Sequence, residues 1–407
     1  METQTKQKLF QFLENAKPDM VALEKILTKE KSLAPENGGD GETKKANALI
    51  AWLTENGFKN IERYDAPDER VSAKVRPNIV ATINGRTNDY CVWVMAHLDV
   101  VPEGKGWQTN PWEAIEKDGK IFGRGVEDNQ QGLTSGVFAS LAYVKNNITP
   151  KHTIKLLFMA DEEVGSNFGI KYLLAHHSLF SKDDIIVIPD GGDANGETIE
   201  IAEKNILWLR IFVHGKQTHG SRPDTGSNAC LAGNALSLSL HEMKNVFANR
   251  DELFTPPYST FEPTLKKQNV DGINIIPGED EFCMDCRILP CYSLAEVLAE
   301  VDTRIKKIEN EYKVSIDYEC AQKEESPATP KDANVVKKLS SALKEAHGIE
   351  SRAIGIGGGT VAAALRNKGF NAAVWSSLCD MAHQPNEFCI IDNIVKDAKT
   401  LAILFDN

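Results

Sequence analysis

Up to Leu53 the apolar residues recur at helical spacing. Leu9, Phe10, Phe12 and Leu13 form one group, and Ala48, Leu49, Ala51, Trp52 and Leu53 a second. The glycine-rich stretch APENGGDGET, residues 34–43, separates them, so two covering helices are expected. From Asn78 to Ala202 the pattern changes to short apolar runs alternating with helical stretches such as Gln131 to Val144. That alternation is the mark of βαβ units and predicts a doubly wound sheet. Four runs stand out: CVWVMA (Cys91 to Ala96), TIKLLFMA (Thr153 to Ala160), DIIVIP (Asp184 to Pro189) and NAAVWSSL (Asn371 to Leu378). Each has strand length and is apolar on both faces, as parallel strands covered by helices are.

Between Ile206 and Ala321 the order becomes strand (ILWLRIFVH), helix (SNACLAGNALSLSLHEM), two strands (GINIIP and EFCMDCRIL), helix (SLAEVLAEVDTRIKKI) and strand (YKVSIDYEC). This is a split βαββαβ pattern. SPATPKDANVV then reads as a return linker, a helix runs through Ala342, and the strand before His383 rejoins the first sheet. The fold class expected is α/β: a mixed, mostly parallel doubly wound catalytic sheet with an inserted ferredoxin-like (βαββαβ) lid or dimerisation domain. Residues 1–205 and 323–407 form the discontinuous catalytic domain, and residues 206–322 the insertion. Its four-stranded sheet can add edge to edge with a copy of itself, so a two-fold homodimer is expected.

A length of 407 residues agrees with two domains, since one core stops growing at roughly 250 to 300. A net charge of −12 argues against nucleic acid or an anionic membrane as partner. The amino terminus, METQTKQKLFQFLENAKPDM, lacks the apolar core of a secretory signal, and a cytoplasmic location is the expectation. The eight cysteines, mostly within apolar stretches, read as reduced buried thiols. Cys283 and Cys286 have the spacing of a zinc knuckle but lie inside a strand-like run with no second pair, which favours core cysteines.

The chemistry gathers just past the apolar runs. His97, the pair Glu162 and Glu163, Asp190 and His383 each follow one of them, and Asp128 lies in the glycine-flanked loop FGRGVEDNQQG. Open α/β sheets bind ligands beyond the carboxyl ends of their strands. Imidazole and carboxylate are the ligands of catalytic zinc, and a carboxylate between two ions can bridge them. Taken singly, each residue has a plainer reading: a buried histidine held by Asp99 for the His-Leu-Asp motif, a turn for Asp128, a solvated acidic loop for Asp161-Glu162-Glu163, a cap for Asp190 or His383. Together they point to a two-metal hydrolase, in which one glutamate ligates metal and its neighbour takes a proton from water.

The motifs MAHLDVVP, GRGVEDNQQG, MADEEVGS, PDGG, THGSRPDTGSNA, GINIIPG with the later MDCR, GIGGGT and MAHQPNE run in order from about residue 90 to 388. In this the chain resembles the dinuclear zinc family of aminoacylases, glutamate carboxypeptidases, acetylornithine deacetylases and succinyl-diaminopimelate desuccinylases. The resemblance implies two Zn2+ per chain, with Co2+ or Mn2+ as substitutes. His97, Asp128 and Asp190 would surround one ion and Asp128, Glu163 and His383 the other, with Asp128 bridging. Asp99 would orient His97, Glu162 would be the general base, and the Asp128–Asn129 peptide would be cis.

It also implies that His219, in THGSRP, reaches the scissile carbonyl from the inserted domain of a partner subunit. Asn274 and Arg287 match positions that meet substrate polar groups, and the turn Gly357, Gly358, Gly359 and Thr360 before the helix-like VAAALRNKG offers backbone N–H groups that suit a carboxylate, a tight turn being its plainer reading. Asn129-Gln130-Gln131 stands where many members carry a lysine. The activity expected is hydrolysis of the amide bond of an N-acyl amino acid, with a dipeptidase or carboxypeptidase acting on short peptides as the alternative. A two-metal phosphoesterase and a non-catalytic metal-binding protein are more distant rivals.

Overall fold

The four apolar runs become the parallel centre of an eight-stranded sheet in the computed structural model, which describes residues Met1 to Asn407. The strands in chain order are β1 (Asn60–Arg63), β2 (Ile79–Ile83), β3 (Thr87–His97), β4 (His152–Met159), β5 (Ile185–Gly192) and β6 (Thr198–Glu203). After them come β7 (Asn205–His214), β8 (Thr260–Lys266), β9 (Glu279–Ile288), β10 (Ser315–Glu324), β11 (Arg352–Ile356) and β12 (Ala372–Ser376). The large sheet has the order β1-β2-β4-β3-β5-β12-β6-β11. β4, β3, β5 and β12 are mutually parallel, while β1, β2 and β6 join antiparallel, so the sheet is mixed with a parallel core.

Both faces of that core are covered. Trp93, Met95, Leu157, Met159, Ile186, Ile188 and Val374 pack against Ile170 and Leu173 of the helix Ile170–His176 and against Val361 and Leu365 of the helix Val361–Asn367. On the other face, Val94 and Leu156 meet the helix Gly132–Lys145 at Gly136, where an added Cβ would stand 2.9 Å from Val94. Full burial of each such side chain contributes about 1.5–3 kcal/mol, which is why these runs are mostly apolar up to their carboxyl ends, with Lys155 a charged residue inside one of them.

The chain divides into two compact units. The first comprises Met1–Ile201, Thr329–Ile354 and Thr360–Asn407, and the second Ala202–Ala328 with Gly355–Gly359. The second unit has a four-stranded antiparallel sheet in the order β8-β9-β7-β10. Alternate residues of β7 and β9 (Leu207, Leu209, Ile211, Val213; Phe282, Met284, Cys286, Ile288) pack under the helices Ala229–His241 and Leu294–Tyr312. Asn228 caps the first of these, and a Ser293–Glu296 capping box starts the second.

Three details depart from the sequence reading. The amino-terminal region holds three helices, not two: Thr3–Asn15, Lys17–Thr28 and Thr43–Glu55. The first stops before Pro18, whose fixed φ suits the start of a new helix. GINIIP is not a strand of the second unit's main sheet. Ile275–Ile276 pairs with Thr218–His219 in a separate ribbon, and the fourth main strand is Thr260–Lys266, an edge strand that buries only Phe261 and so shows no apolar alternation. The cysteines are less buried than expected, with Cys291 and Cys320 exposed and only Cys286 and Cys389 fully inside. Cys283 and Cys286, three apart on a strand, point to opposite faces and form no metal-binding pair. No helix is long and apolar enough to cross a membrane.

Candidate metal centre

Five of the six residues singled out beyond the strands meet at the carboxyl edge of the parallel core, and the sixth, Glu162, lies on the turn beside them. His97 ends β3, Asp190 lies two residues before the end of β5, Glu163 sits on the turn after β4, and His383 lies in the loop after β12. Asp128 occupies the entry to the helix Gly132–Lys145, and the peptide to Asn129 is cis. One Asp128 oxygen is 3.0 Å from His97 Nε2 and the other 3.2 Å from His383 Nε2. Asp190 lies 3.8 Å from His97 Nε2, and Glu163 lies 3.0 Å from His383 Nε2. Two groups of three ligand-type residues thus share Asp128: His97, Asp128, Asp190 and Asp128, Glu163, His383.

These residues fit a pair of divalent ions. Neighbouring donors around a tetrahedral zinc at about 2.0–2.1 Å are about 3.3 Å apart, and the four distances just given, 3.0 to 3.8 Å, bracket that edge. The first group is deep, with the His97 side chain 1% exposed, whereas the His383 side chain is 57% exposed and borders solvent.

The electrostatics agree. Burial pushes Asp190 up to about 7 and raises Glu163, and neighbouring carboxylates add to both shifts. Burial also raises Glu162 well above the usual carboxylate range, with Asp190, Glu163 and Asp99 adding and His97 opposing. Asp128 is lowered: burial opposes its charge, but its bonds to His383 and His97 outweigh that. Burial opposes the charge of His97 too, yet its bonds to Asp128 and Asp99 carry its pKa well above the ordinary value. His383 is pushed up to about 10 by Asp128 and Glu163. A cluster with this much crowded negative charge is where a divalent cation is the natural counter-charge.

Asp99 differs from expectation in what its carboxylate does. His97 Nδ1 lies 2.9 Å from the backbone oxygen of Asp99 and 3.6 Å from the carboxylate. The carboxylate instead accepts the backbone N–H groups of Glu162 and Glu163, both at 3.0 Å, and so anchors the turn that carries them. The Glu162 carboxylate is left with no hydrogen bond to the rest of the chain. Asp161, first of the acidic triplet, turns away: it adopts a φ of 70°, accepts the N–H of Phe168 at 3.0 Å and lies 3.2 Å from the buried guanidinium of Arg76. Arg76 in turn pairs with Glu42, and neither carries any motif that would have marked it in the sequence.

The carboxamides after Asp128 bind protein. Asn129 donates to Pro189 O at 2.8 Å and to Asp190, Gln130 donates to Glu24 at 2.9 Å, and Gln131 donates to Ser377 O at 2.7 Å.

His219, Asn274, Arg287 and Gly357 to Gly359 belong to the second unit. His219 is exposed, with Nδ1 2.8 Å from Ser221 Oγ, and Gly220 N–H donates to Asn274 O at 2.7 Å, so the two residues neighbour each other on the small ribbon. The Arg287 guanidinium forks onto Asp285 (2.7 and 3.1 Å) and reaches Gly357 O at 3.0 Å. Thr360 lies in the first unit, and its hydroxyl accepts the N–H of Ala362 at 3.1 Å, capping a helix of only seven residues.

A sequence model of peptidase family M20/M25/M40 matches residues 93–407. The chain belongs to this family. A protein of Methanocaldococcus jannaschii described as an uncharacterized metallohydrolase is 42% identical over 403 residues, 94% of this chain and 97% of that one. The succinyl-diaminopimelate desuccinylase of Sulfurimonas denitrificans is 26% identical over 314 residues, 76% of this chain and 82% of its own. Among solved structures, the aminopeptidase PepT of Bacillus cereus shares the fold with a TM-score of 0.78 at 17% identity, covering 96% of this chain and 98% of that one. Human carnosine dipeptidase 1 does so with a TM-score of 0.74 at 17% identity, covering 98% of each. The family is one of dinuclear metal-binding peptidases, and this M20 chain is a metal-dependent hydrolase acting on amide or peptide bonds.

Proposed function

We propose that this M20 hydrolase cleaves the amide bond of an N-acyl amino acid, in the manner of a succinyl-diaminopimelate desuccinylase, with two zinc ions and Glu162 as general base. The observation that carries the reading is the position of Asp128, whose two oxygens face the imidazoles of His97 and His383 at 3.0 and 3.2 Å. His97, Asp128 and Asp190 would hold one ion, and Asp128, Glu163 and His383 the other. When bound, such ions supply Lewis acidity, bringing the pKa of water toward about 7 and polarising a carbonyl.

The chain's own residues supply proton transfer and orientation. Glu162, unpaired and with its proton affinity raised by burial, takes the proton of the attacking water and returns it to the leaving amine. Asp99 holds the Glu162–Glu163 backbone in place. His219, delivered by the inserted domain of a second copy of the chain, stabilises the developing oxyanion, and Asn274, Arg287 and the Gly357–Thr360 turn bind the substrate carboxylate. A homodimer through the second unit is supported by the open edge of β8 and by exposed Leu231, Leu238 and Leu265 beside it.

The desuccinylase relative favours a deacylase, while the fold shared with carnosine dipeptidase 1 keeps a peptidase of short peptides as the second reading. Zinc-loaded protein assayed against a panel of N-succinyl and N-acetyl amino acids and a panel of dipeptides separates them. Turnover confined to dipeptides would replace the first reading by the second, and turnover of p-nitrophenyl phosphate alone would remove both.

A further inference from the structure

Two buried carboxylates with no part in the reading above tie together the loops that carry Asp128 and His383. Glu127, 2% exposed, accepts the backbone N–H of Cys379 at 2.5 Å and that of Met381. Glu387, fully buried, accepts the backbone N–H groups of Gly125 and Glu127 at 2.9 Å and of Asp128 at 3.1 Å. Each carboxylate therefore belongs to one loop and binds the backbone of the other. Arg124 pairs with Glu387 at 2.7 Å and reaches the carbonyls of Pro102 and Glu103, so the segment following Asp99 joins the same brace.

The His383 loop needs such support. Asp380, His383 and Asn386 all have left-handed φ values, 60°, 63° and 62°; Asp, His and Asn enter that region more readily than other side-chain-bearing residues, and three of them within seven positions make a turn whose course the surrounding contacts fix. The two bonds to Glu127 fall on either side of Asp380 and fix the chain as it enters the turn to His383. The other ligand group has a different foundation. His97 and Asp190 are held by β3 and β5, which are hydrogen-bonded neighbours in the centre of the sheet.

We propose that Glu127 is a positioning residue that sets the affinity of one metal position only, the one formed by Asp128, Glu163 and His383, while Glu387, which holds the Asp128 backbone itself, acts on both. The inference rests on the two-ion reading. Outer groups that orient ligands typically change metal affinity by about 10- to 100-fold, and that is the size expected here. Glu127→Gln keeps the shape but turns an amide NH2 toward one of the two backbone N–H groups, leaving that donor without an acceptor.

The test titrates the metal-free full-length chain with Zn2+ against a competing chelator, for the wild type, Glu127→Gln, Glu127→Ala and Glu387→Gln. The wild type should bind two ions. Both Glu127 variants should keep one affinity unchanged and weaken the other by about 10- to 100-fold, and Glu387→Gln should weaken both. Activity of the Glu127 variants should return with excess Zn2+, a rescue that a misfolded chain does not show. Two unchanged affinities in both Glu127 variants, or two that fall together, would overturn the proposal. A wild-type chain that binds a single ion would instead sink the two-ion reading, and the inference with it.

Discussion

Replacing Arg76 with methionine removes a guanidinium whose side chain is 0% exposed. Its Nε donates to Glu42 at 2.6 Å and its Nη2 to the other Glu42 oxygen, while Nη1 lies 3.2 Å from Asp161 and 3.6 Å from Asp68. All three carboxylates are at most 2% exposed. Methionine keeps the apolar stem but leaves Glu42 and Asp161 without a cation, whereas Asp68 retains Arg70 at 2.8 Å. Breaking a buried pair by removing one partner costs about 3–5 kcal/mol, so about 4 kcal/mol is expected, against a total stability of about 5–15. Urea unfolding at pH 8 measures it.

The sign with pH follows from the same groups. Burial already pushes Glu42 up to about 7 and raises Asp161, with Arg76 opposing both, so loss of Arg76 raises them further. A carboxyl whose folded pKa lies above its unfolded value loses stability as pH rises until that folded pKa is passed; Glu42 passes it at about 7 in the wild type and higher in Arg76→Met, so the deficit should grow as pH rises above about 7 and be smaller below it. Activity should suffer too. Glu42 also accepts the N–H of Asp161 at 3.3 Å, at the root of the turn carrying Glu162 and Glu163, and a misplacement of about 1 Å there costs about 100-fold in rate. A stability loss under about 1 kcal/mol, far below that expected of a broken buried pair, or a loss independent of pH, would refute the reasoning.

Glu162→Gln should lower kcat by about 100- to 10,000-fold with metal content unchanged, measured by elemental analysis beside the hydrolysis assay; retained turnover would remove Glu162 as base. His219→Ala should lower kcat by about 100- to 1,000-fold without loss of metal, and an unchanged kcat would leave His219 outside the reaction. Burial lowers His347 to about 4, with the carbonyl of Lys396 opposing, so the fold favours its neutral form and loses stability as pH falls from 6.5 through 4. Discounted for the partly exposed ring, this is about 2 kcal/mol, and His347→Gln should flatten the stability profile by that amount across the window.

Much of this was legible along the chain because it depends on neighbours in sequence. Continuous apolar runs of strand length marked β3, β4, β5 and β12, and burial on both faces left their carboxyl ends as the place where His97, Glu163, Asp190 and His383 stand out. Caps such as Ser293 and Asn228 are equally local. The edge strand Thr260–Lys266 was not legible, since a strand that buries one side chain leaves no alternation to read.

What the tertiary structure alone decided are the contacts between segments distant in sequence. Nothing near Asp99 indicates that its carboxylate grips the backbone 63 and 64 residues later, or that its carbonyl faces His97. Nothing in Arg76 or Glu42 announces a buried pair beneath Asp161, and the Glu127 and Glu387 brace spans more than 250 residues. Periodicity and capping are written in local residue order because they follow from the repeat of helix and strand. A buried charge finds its partner wherever the fold brings an opposite charge or a backbone N–H, and that choice exists only once the chain has closed around it.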